Sequence, residues 1–90
     1  MTKEQKLFIA EWLGIIITAD PSNPNAILYK GDDFNPAIIY GQFKMAWRNL
    51  SKDERYPLIR KYEHTLAEEI MFNQPKVMQD MISVLNKEEI

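Results

Sequence analysis

The stretch that decides the predicted fold of this chain is Trp47-Arg48-Asn49-Leu50-Ser51-Lys52-Asp53-Glu54-Arg55-Tyr56-Pro57-Leu58. Within it, Ser51 and Glu54 have the spacing of a capping box, in which two side chains bond the unpaired backbone N–H groups at a helix start. One helix is therefore predicted to end near Leu50 and another to begin at Lys52. Because Pro57 removes a backbone donor from the second helix, we expect its first turns to be irregular or bent.

The residues before this joint predict another helix. Asn35 is a favourable N-cap and Pro36 suits the first helical position, so this helix should cover residues 36–50. We expect Trp47 to be buried against the first helix of the chain. The apolar residues of 36–50 recur as on one face of an α-helix, and the core candidates among them are Ile39, Phe43, Ala46, Trp47 and Leu50.

The two ends of the chain also carry helical patterns. Thr2 and Gln5 form a second capping box ahead of a long apolar stretch. Residues 26–29 are a short extended piece without a visible partner strand, and we interpret them as an ordered loop. The pattern therefore predicts an all-α fold, a small three- to four-helix domain that includes the whole chain (1–90). Its helices are expected near 3–19, 36–50, 52–72 and 76–87.

Composition limits the class of protein. The chain has 90 residues and no cysteine, so we expect one hydrophobic core without disulfides or thiolate metal sites. The apolar residues 7–17 are interrupted by Glu11 and are too few to cross a bilayer of about 30 Å. They also lack a small-residue cleavage site, which argues against a signal peptide. We expect an intracellular protein, cytoplasmic or at the nucleoid or nucleus, with no membrane partner.

Charge is segregated along the chain, although the net charge is only -2. Residues 44–61 carry six basic residues against two acidic ones, while the segments on both sides are net acidic. A basic centre between acidic flanks can attract an anionic partner, or it can be a solvated helix face that its neighbours neutralise. The sequence leaves both interpretations open.

Nothing in the sequence indicates catalysis. There is one histidine, His64, and the three glycines form no phosphate-binding loop. Asp32 and Asp33 lack the other ligands of a calcium loop and are predicted to form a turn. We therefore expect a binding protein that is not an enzyme, with no catalytic residue, no cofactor and no metal.

Residues 35 to about 66 resemble helices 2 and 3 of an HMG box. The shared features are a polar cap, apolar Ile39 and Phe43, an acidic pair, and the runs Trp47-Arg48-Asn49-Leu50-Ser51 and Arg55-Tyr56-Pro57. The resemblance implies an L-shaped three-helix fold that binds the minor groove of DNA and inserts an apolar wedge between base pairs. It implies a wedge at Pro36 or the nearby Phe34, and contacts to nucleic acid or another partner from Lys44, Arg48, Lys52 and Arg55.

A shorter resemblance covers residues 39–46, which read Ile39-Tyr40-Gly41-Gln42-Phe43-Lys44-Met45-Ala46 and are similar to the helix-2 signature of acyl-CoA-binding proteins. In that family the Tyr and the Lys of the signature hold the ligand, which implies a binding role for Tyr40 and Lys44. Three functions are therefore expected, in this order: HMG-like nucleic-acid binding, a protein-interaction module such as a small inhibitor or adaptor, and an acyl-CoA carrier.

The first predicted helix has more apolar surface than a three-helix core would need. Some of this surface has to be covered by the fourth helix, by a second copy of the chain or by a partner protein. A homo-oligomer is therefore one expectation. A charged substitution at Ile16 would test it, because this helix would place Ile16 either in the core or at an interface.

Overall fold

The fold combines helices with a small sheet. The computed structural model describes residues 1–66, 69 and 73–90. Within these residues the helices are α1 (Lys3–Leu13), α2 (Tyr40–Asn49), α3 (Lys52–Tyr62) and α4 (Gln74–Leu85). The strands are β1 (Thr18–Asp20), β2 (Asn23–Tyr29) and β3 (Asp32–Asp33), and they form an antiparallel sheet in the order β1-β2-β3.

The predicted all-α fold is wrong, because the chain contains this three-stranded sheet. The helix expected over 3–19 ends at Leu13, and the chain then turns back as β1 to pair with β2. Residues 26–29, interpreted as a loop for lack of a partner, belong to β2. Their partner strand lies in the stretch that the apolar pattern assigned to the first helix, and for this reason the hairpin is hidden in the sequence.

Gly14 ends α1. Its φ of 72° is the left-handed conformation that glycine adopts without strain, and its N–H donates to the carbonyl oxygens of Ala10 and Glu11. The three residues that follow are all isoleucine, whose branched side chains favour extended backbone. The apolar run therefore continues as an extended segment that leads into β1.

Lys30 and Gly31 make the tight turn between β2 and β3. Both have positive φ, 52° and 82°, as a two-residue hairpin turn of type I′ requires. Asp32 and Asp33 were expected in a turn, but they form β3 and pair with Tyr29 and Leu28.

α2 begins at Tyr40, later than the predicted start at residue 36. Residues 36–38 instead form a turn that lies against the core, where Phe34 and Pro36 are fully buried. The carbonyl oxygen of Pro36 accepts a hydrogen bond from Gln74 Nε2 at 3.1 Å. Because this carbonyl has a tertiary partner instead of a helical one, the favourable capping pair does not start the helix.

The side chain of Gln42 ties this turn to α2. Gln42 Oε1 accepts a hydrogen bond from the backbone N–H of Asn35 at 2.6 Å, and Gln42 Nε2 donates to the carbonyl oxygen of Asp33 at 2.8 Å. Gln42 is buried, so its amide satisfies backbone groups where water has little access.

Both predicted capping boxes are confirmed. Ser51 Oγ accepts a hydrogen bond from the N–H of Glu54 at 3.2 Å, and Glu54 Oε1 accepts one from the N–H of Ser51 at 2.7 Å. Thr2 and Gln5 make the same reciprocal bonds at the start of α1. The helix starts that depend on these caps therefore lie where the sequence predicts them.

α3 is shorter than predicted and is joined to α4 by polar contacts. α3 ends at Tyr62, earlier than residue 72, and residues 67, 68 and 70–72 of the predicted helix lie outside the described residues. The Tyr62 hydroxyl donates to Asp80 Oδ2 of α4, and Lys61 Nζ lies 2.9 Å from the same oxygen.

One core joins the helices and the sheet. Its fully buried residues include Ile9, Phe34, Ala46, Leu58, Val77, Met78 and Met81.

Candidate functional site

A groove with a volume of about 380 Å³ lies between α2 and α3, and we call it the α2–α3 groove. The side chains that α2 contributes follow one another at steps of three, one, three and one, so they form a single stripe along the helix. The lining residues are Tyr40, Phe43, Lys44, Trp47 and Arg48 of α2, Leu58, Ile59, Tyr62 and Glu63 of α3 and its C-cap, and Val77 of α4.

The floor and walls of the groove are mostly apolar. Leu58 and Val77 are fully buried, and Trp47 and Tyr62 are half-buried. Trp47 was expected to be buried against α1, but it is half-buried and lines the groove. Ile59 is 52% exposed. A ligand that covers such apolar surface gains roughly 25 cal/mol per Å² removed from water.

The α2 edge of the groove is cationic. Lys44 and Arg48 are exposed and lie about one helical turn apart. Lys44 Nζ lies 5.4 Å from the centroid of the Tyr40 ring, within the range of a cation–π contact. Glu63, at the end of α3, is also exposed. The groove therefore has two positive charges on its α2 edge and one negative charge on the opposite wall.

Tyr62 connects the wall of the groove to α4. Burial raises the pKa of the Tyr62 hydroxyl well above its ordinary value, and the hydrogen bond to Asp80 and the charge of that carboxylate raise it further. The hydroxyl therefore keeps its proton to a higher pH than an exposed tyrosine would, and it holds the wall of the groove to α4 through Asp80.

The four basic residues predicted to act together have different environments. Lys44 and Arg48 line the groove, and Lys52 is exposed at the start of α3. Arg55 is half-buried, and its Nε and Nη2 donate to the carbonyl oxygens of Trp47 and Arg48 at 3.3 and 2.9 Å. The guanidinium of Arg55 thus caps the C-terminal end of α2.

The two residues suggested as a DNA wedge are not at the surface. The side chains of Phe34 and Pro36 are both fully buried. A side chain that inserts between base pairs has to project from the protein. In this structure neither residue is available for that role.

Only one side of the groove is visible in the sequence. The α2 stripe carries a signal that the sequence does show, since aromatic and cationic side chains recur there at helical spacing. The opposite wall carries no such signal, because its position depends on how α3 and α4 pack beside α2. The residues of this wall that were not among the binding candidates are Leu58, Ile59, Tyr62, Glu63 and Val77.

Comparison of the chain with protein-family models, with curated proteins and with solved structures found no match. The two family resemblances therefore stay predictions. No helix among the described residues is long and apolar enough to cross a membrane. The same part of the chain contains no cluster of three or more histidines and carboxylates that could hold a metal ion.

Proposed function

We propose that this protein is a non-enzymatic binding protein whose α2–α3 groove holds a small ligand with an apolar, fatty-acyl-like body and an anionic head. The observation that carries this proposal is the combination of an apolar floor with two exposed cations, Lys44 and Arg48, on one edge. An apolar ligand without charge would leave these cations unused, and a small inorganic anion would leave the apolar floor exposed.

The size of the groove favours a small ligand. Its volume of about 380 Å³ lies within the range of about 300–1,000 Å³ that is usual for small-molecule sites. Such sites are lined mainly by aromatic and apolar side chains with a few polar groups that orient the ligand. Phe43 and Trp47 supply the first kind of surface, and Lys44 and Arg48 supply the second.

The distribution of charge indicates how the ligand would lie. Both cations belong to α2, so the anionic head would follow this helix while the apolar body covers Leu58 and Val77. Tyr40 and Lys44, which the resemblance to acyl-CoA-binding proteins singles out, both line the groove. Their position supports an acyl-type ligand.

Titration with dodecanoate, followed by tryptophan fluorescence, tests the proposal. The chain has two tryptophans, so the substitution Trp12→Phe leaves Trp47 in the groove as the reporter. We expect a saturable change in Trp47 emission. Dodecanoate should bind more tightly than dodecanol, which has the same apolar body without the anionic head. The absence of any response to either compound would contradict the proposal.

Matched variants separate the groove from general charge attraction. Lys44→Gln and Arg48→Gln should each weaken dodecanoate binding by about 0.2–1 kcal/mol, the usual contribution of an exposed ion pair. Lys52→Gln removes an exposed cation that does not line the groove, and it should bind as the wild type does. Ile59→Asp should weaken binding more strongly, because it places a carboxylate against the ligand. An equal loss in Lys52→Gln would indicate unspecific attraction.

Nucleic-acid binding is the second candidate, because Lys44, Arg48 and Lys52 are exposed around the joint between α2 and α3. Each phosphate contact contributes about 0.9 to the slope of log affinity against log salt. Fluorescence anisotropy with four-way-junction DNA should therefore show an affinity that falls with salt no more steeply than about three phosphate contacts would produce. The absence of binding at low salt would remove this candidate.

A further inference from the structure

Asp80 of α4 holds one wall of the α2–α3 groove without lining it. Its Oδ2 atom accepts a hydrogen bond from the Tyr62 hydroxyl, and Tyr62 lines the groove. Val77, which also lines the groove, precedes Asp80 by three residues on α4, so the two side chains lie on the same side of that helix. α4 therefore forms this wall in two ways, directly through Val77 and indirectly through Asp80.

Tyr62 depends on such a contact because it is the last residue of α3. The final turn of a helix lacks part of its hydrogen bonds and frays readily. The side chain of Asp80 is only 14% exposed, and Lys61 Nζ lies 2.9 Å from the same oxygen that accepts from Tyr62. A carboxylate that is shielded from water and has two donors can fix the end of α3 in place.

We propose that Asp80 is a positioning residue, which holds the ring of Tyr62 as a preformed apolar wall for the body of the ligand. This inference rests on the function proposed above. The proton of the Tyr62 hydroxyl is donated to Asp80, so it is not available to an anionic head. Tyr62 therefore serves the apolar body, whereas the head belongs to Lys44 and Arg48. A wall that is already in place spares the ligand the free-energy cost of ordering it.

Two measurements on Trp47 test this inference in the Trp12→Phe background, namely acrylamide quenching without ligand and titration with dodecanoate or dodecanol. Tyr62→Phe keeps the ring and removes the hydroxyl, and Asp80→Leu removes the acceptor. Both variants should make Trp47, which lines the same groove, easier to quench. Both should raise the Kd of the two compounds by the same factor, roughly two- to tenfold, the equivalent of one hydrogen bond. Asp80→Asn keeps an oxygen that can accept from the phenol and should resemble the wild type.

Further variants separate positioning from a general loss of stability. Gly31→Ala strains a turn that does not line the groove, and it should leave both the quenching and the Kd unchanged. The double variant Tyr62→Phe/Asp80→Leu should be no weaker in binding than either single variant, because both substitutions remove the same bond.

The other outcomes overturn the inference. If Tyr62→Phe weakens dodecanoate binding but not dodecanol binding, the phenol contacts the anionic head. Unchanged quenching in Tyr62→Phe, or an equal change in Gly31→Ala, would show that Asp80 only stabilises the fold. A loss in Asp80→Asn equal to that in Asp80→Leu would assign the effect to the ion pair with Lys61 and remove the role of Tyr62.

The two proposals can fail separately. If the wild type binds neither compound, the proposed function is contradicted, and the quenching comparison, which needs no ligand, still decides whether Asp80 positions the wall. If the wild type binds dodecanoate and Tyr62→Phe binds it equally well, the proposed function stands and this inference is wrong. Should circular dichroism show that Asp80→Leu is unfolded, Tyr62→Phe decides alone.

Discussion

The guanidinium of Arg55 caps the preceding helix, because its Nη2 donates to the backbone carbonyl oxygen of Arg48 at 2.9 Å. The last carbonyls of a helix have no partner within it, so a side-chain donor from the next helix satisfies a group that would otherwise need water. The basic segment 44–61 therefore contains residues of two kinds. Arg55 bonds the fold itself, whereas Lys44 and Arg48 are exposed along the groove.

Loss of this cap should destabilise the protein. We expect Arg55→Ala to lower the free energy of unfolding by about 1.5–3 kcal/mol, the range for hydrogen bonds that involve a charged group. Arg55→Lys should recover only part of this, because an ammonium group cannot present the planar fork of donors. Urea denaturation followed by circular dichroism measures the change. Lys52→Ala, at an exposed neighbouring position, should stay within about 0.5 kcal/mol, and an equal effect of both alanine variants would contradict the cap.

Gln42 should be more important for stability than other glutamines. Gln42→Leu introduces an apolar side chain of similar size and leaves the N–H of Asn35 and the carbonyl of Asp33 without their partner. Each unsatisfied group lowers the free energy of unfolding by about 1–3 kcal/mol. Thermal melting should therefore show a clearly lower melting temperature for this variant. Gln79 exchanges hydrogen bonds with Gln5 at the surface, so Gln79→Leu is the control and should change little. Similar melts for the two variants would refute the bridging role of Gln42.

Two glycine substitutions should have opposite effects. Gly31 has a φ of 82° in the turn between β2 and β3, where a side chain is strained, so Gly31→Ala should lower the free energy of unfolding by about 1–2 kcal/mol. Gly41 lies within α2 with an ordinary φ and open space around it, so Gly41→Ala should raise stability by up to about 1 kcal/mol. Chemical denaturation of both variants measures the change in the free energy of unfolding and its sign. A stabilising Gly31→Ala would exclude the left-handed turn.

Tyr62 should make stability fall at alkaline pH. Burial, and then Asp80, raise the pKa of this phenol above its unfolded value of about 10, so the folded state keeps a proton that the unfolded state loses. The contribution of Tyr62 to the free energy of unfolding is fully present below a pH of about 10. It is lost as the pH rises through the pKa of the folded state. The difference in unfolding free energy between the wild type and Tyr62→Phe should therefore narrow above that pH. A difference that stays constant would show that the phenol titrates normally.

Local sequence patterns predicted the helix starts that depend on neighbouring residues. The capping boxes at Thr2 and Ser51 were correct because each involves side chains and backbone groups within three residues of each other. The pattern at Asn35 and Pro36 failed although it is equally favourable, since the Pro36 carbonyl oxygen, which a helix would bond to the N–H of residue 40, accepts from Gln74 of α4 instead. Local propensity is decisive only where no tertiary partner competes for the backbone.

The sequence by itself determined the helical caps, the absence of disulfides and the stripe of aromatic and cationic side chains on α2. Tertiary structure decided that the residues after Gly14 pair with β2, that Phe34 and Pro36 are buried, and that Arg55 caps a helix while Arg48 lines a groove. The physical reason is the range of the interactions. A cap or a helical stripe depends on residues within one or two turns, whereas a strand partner, a buried wall or a side chain that crosses to another helix depends on segments that only folding brings together.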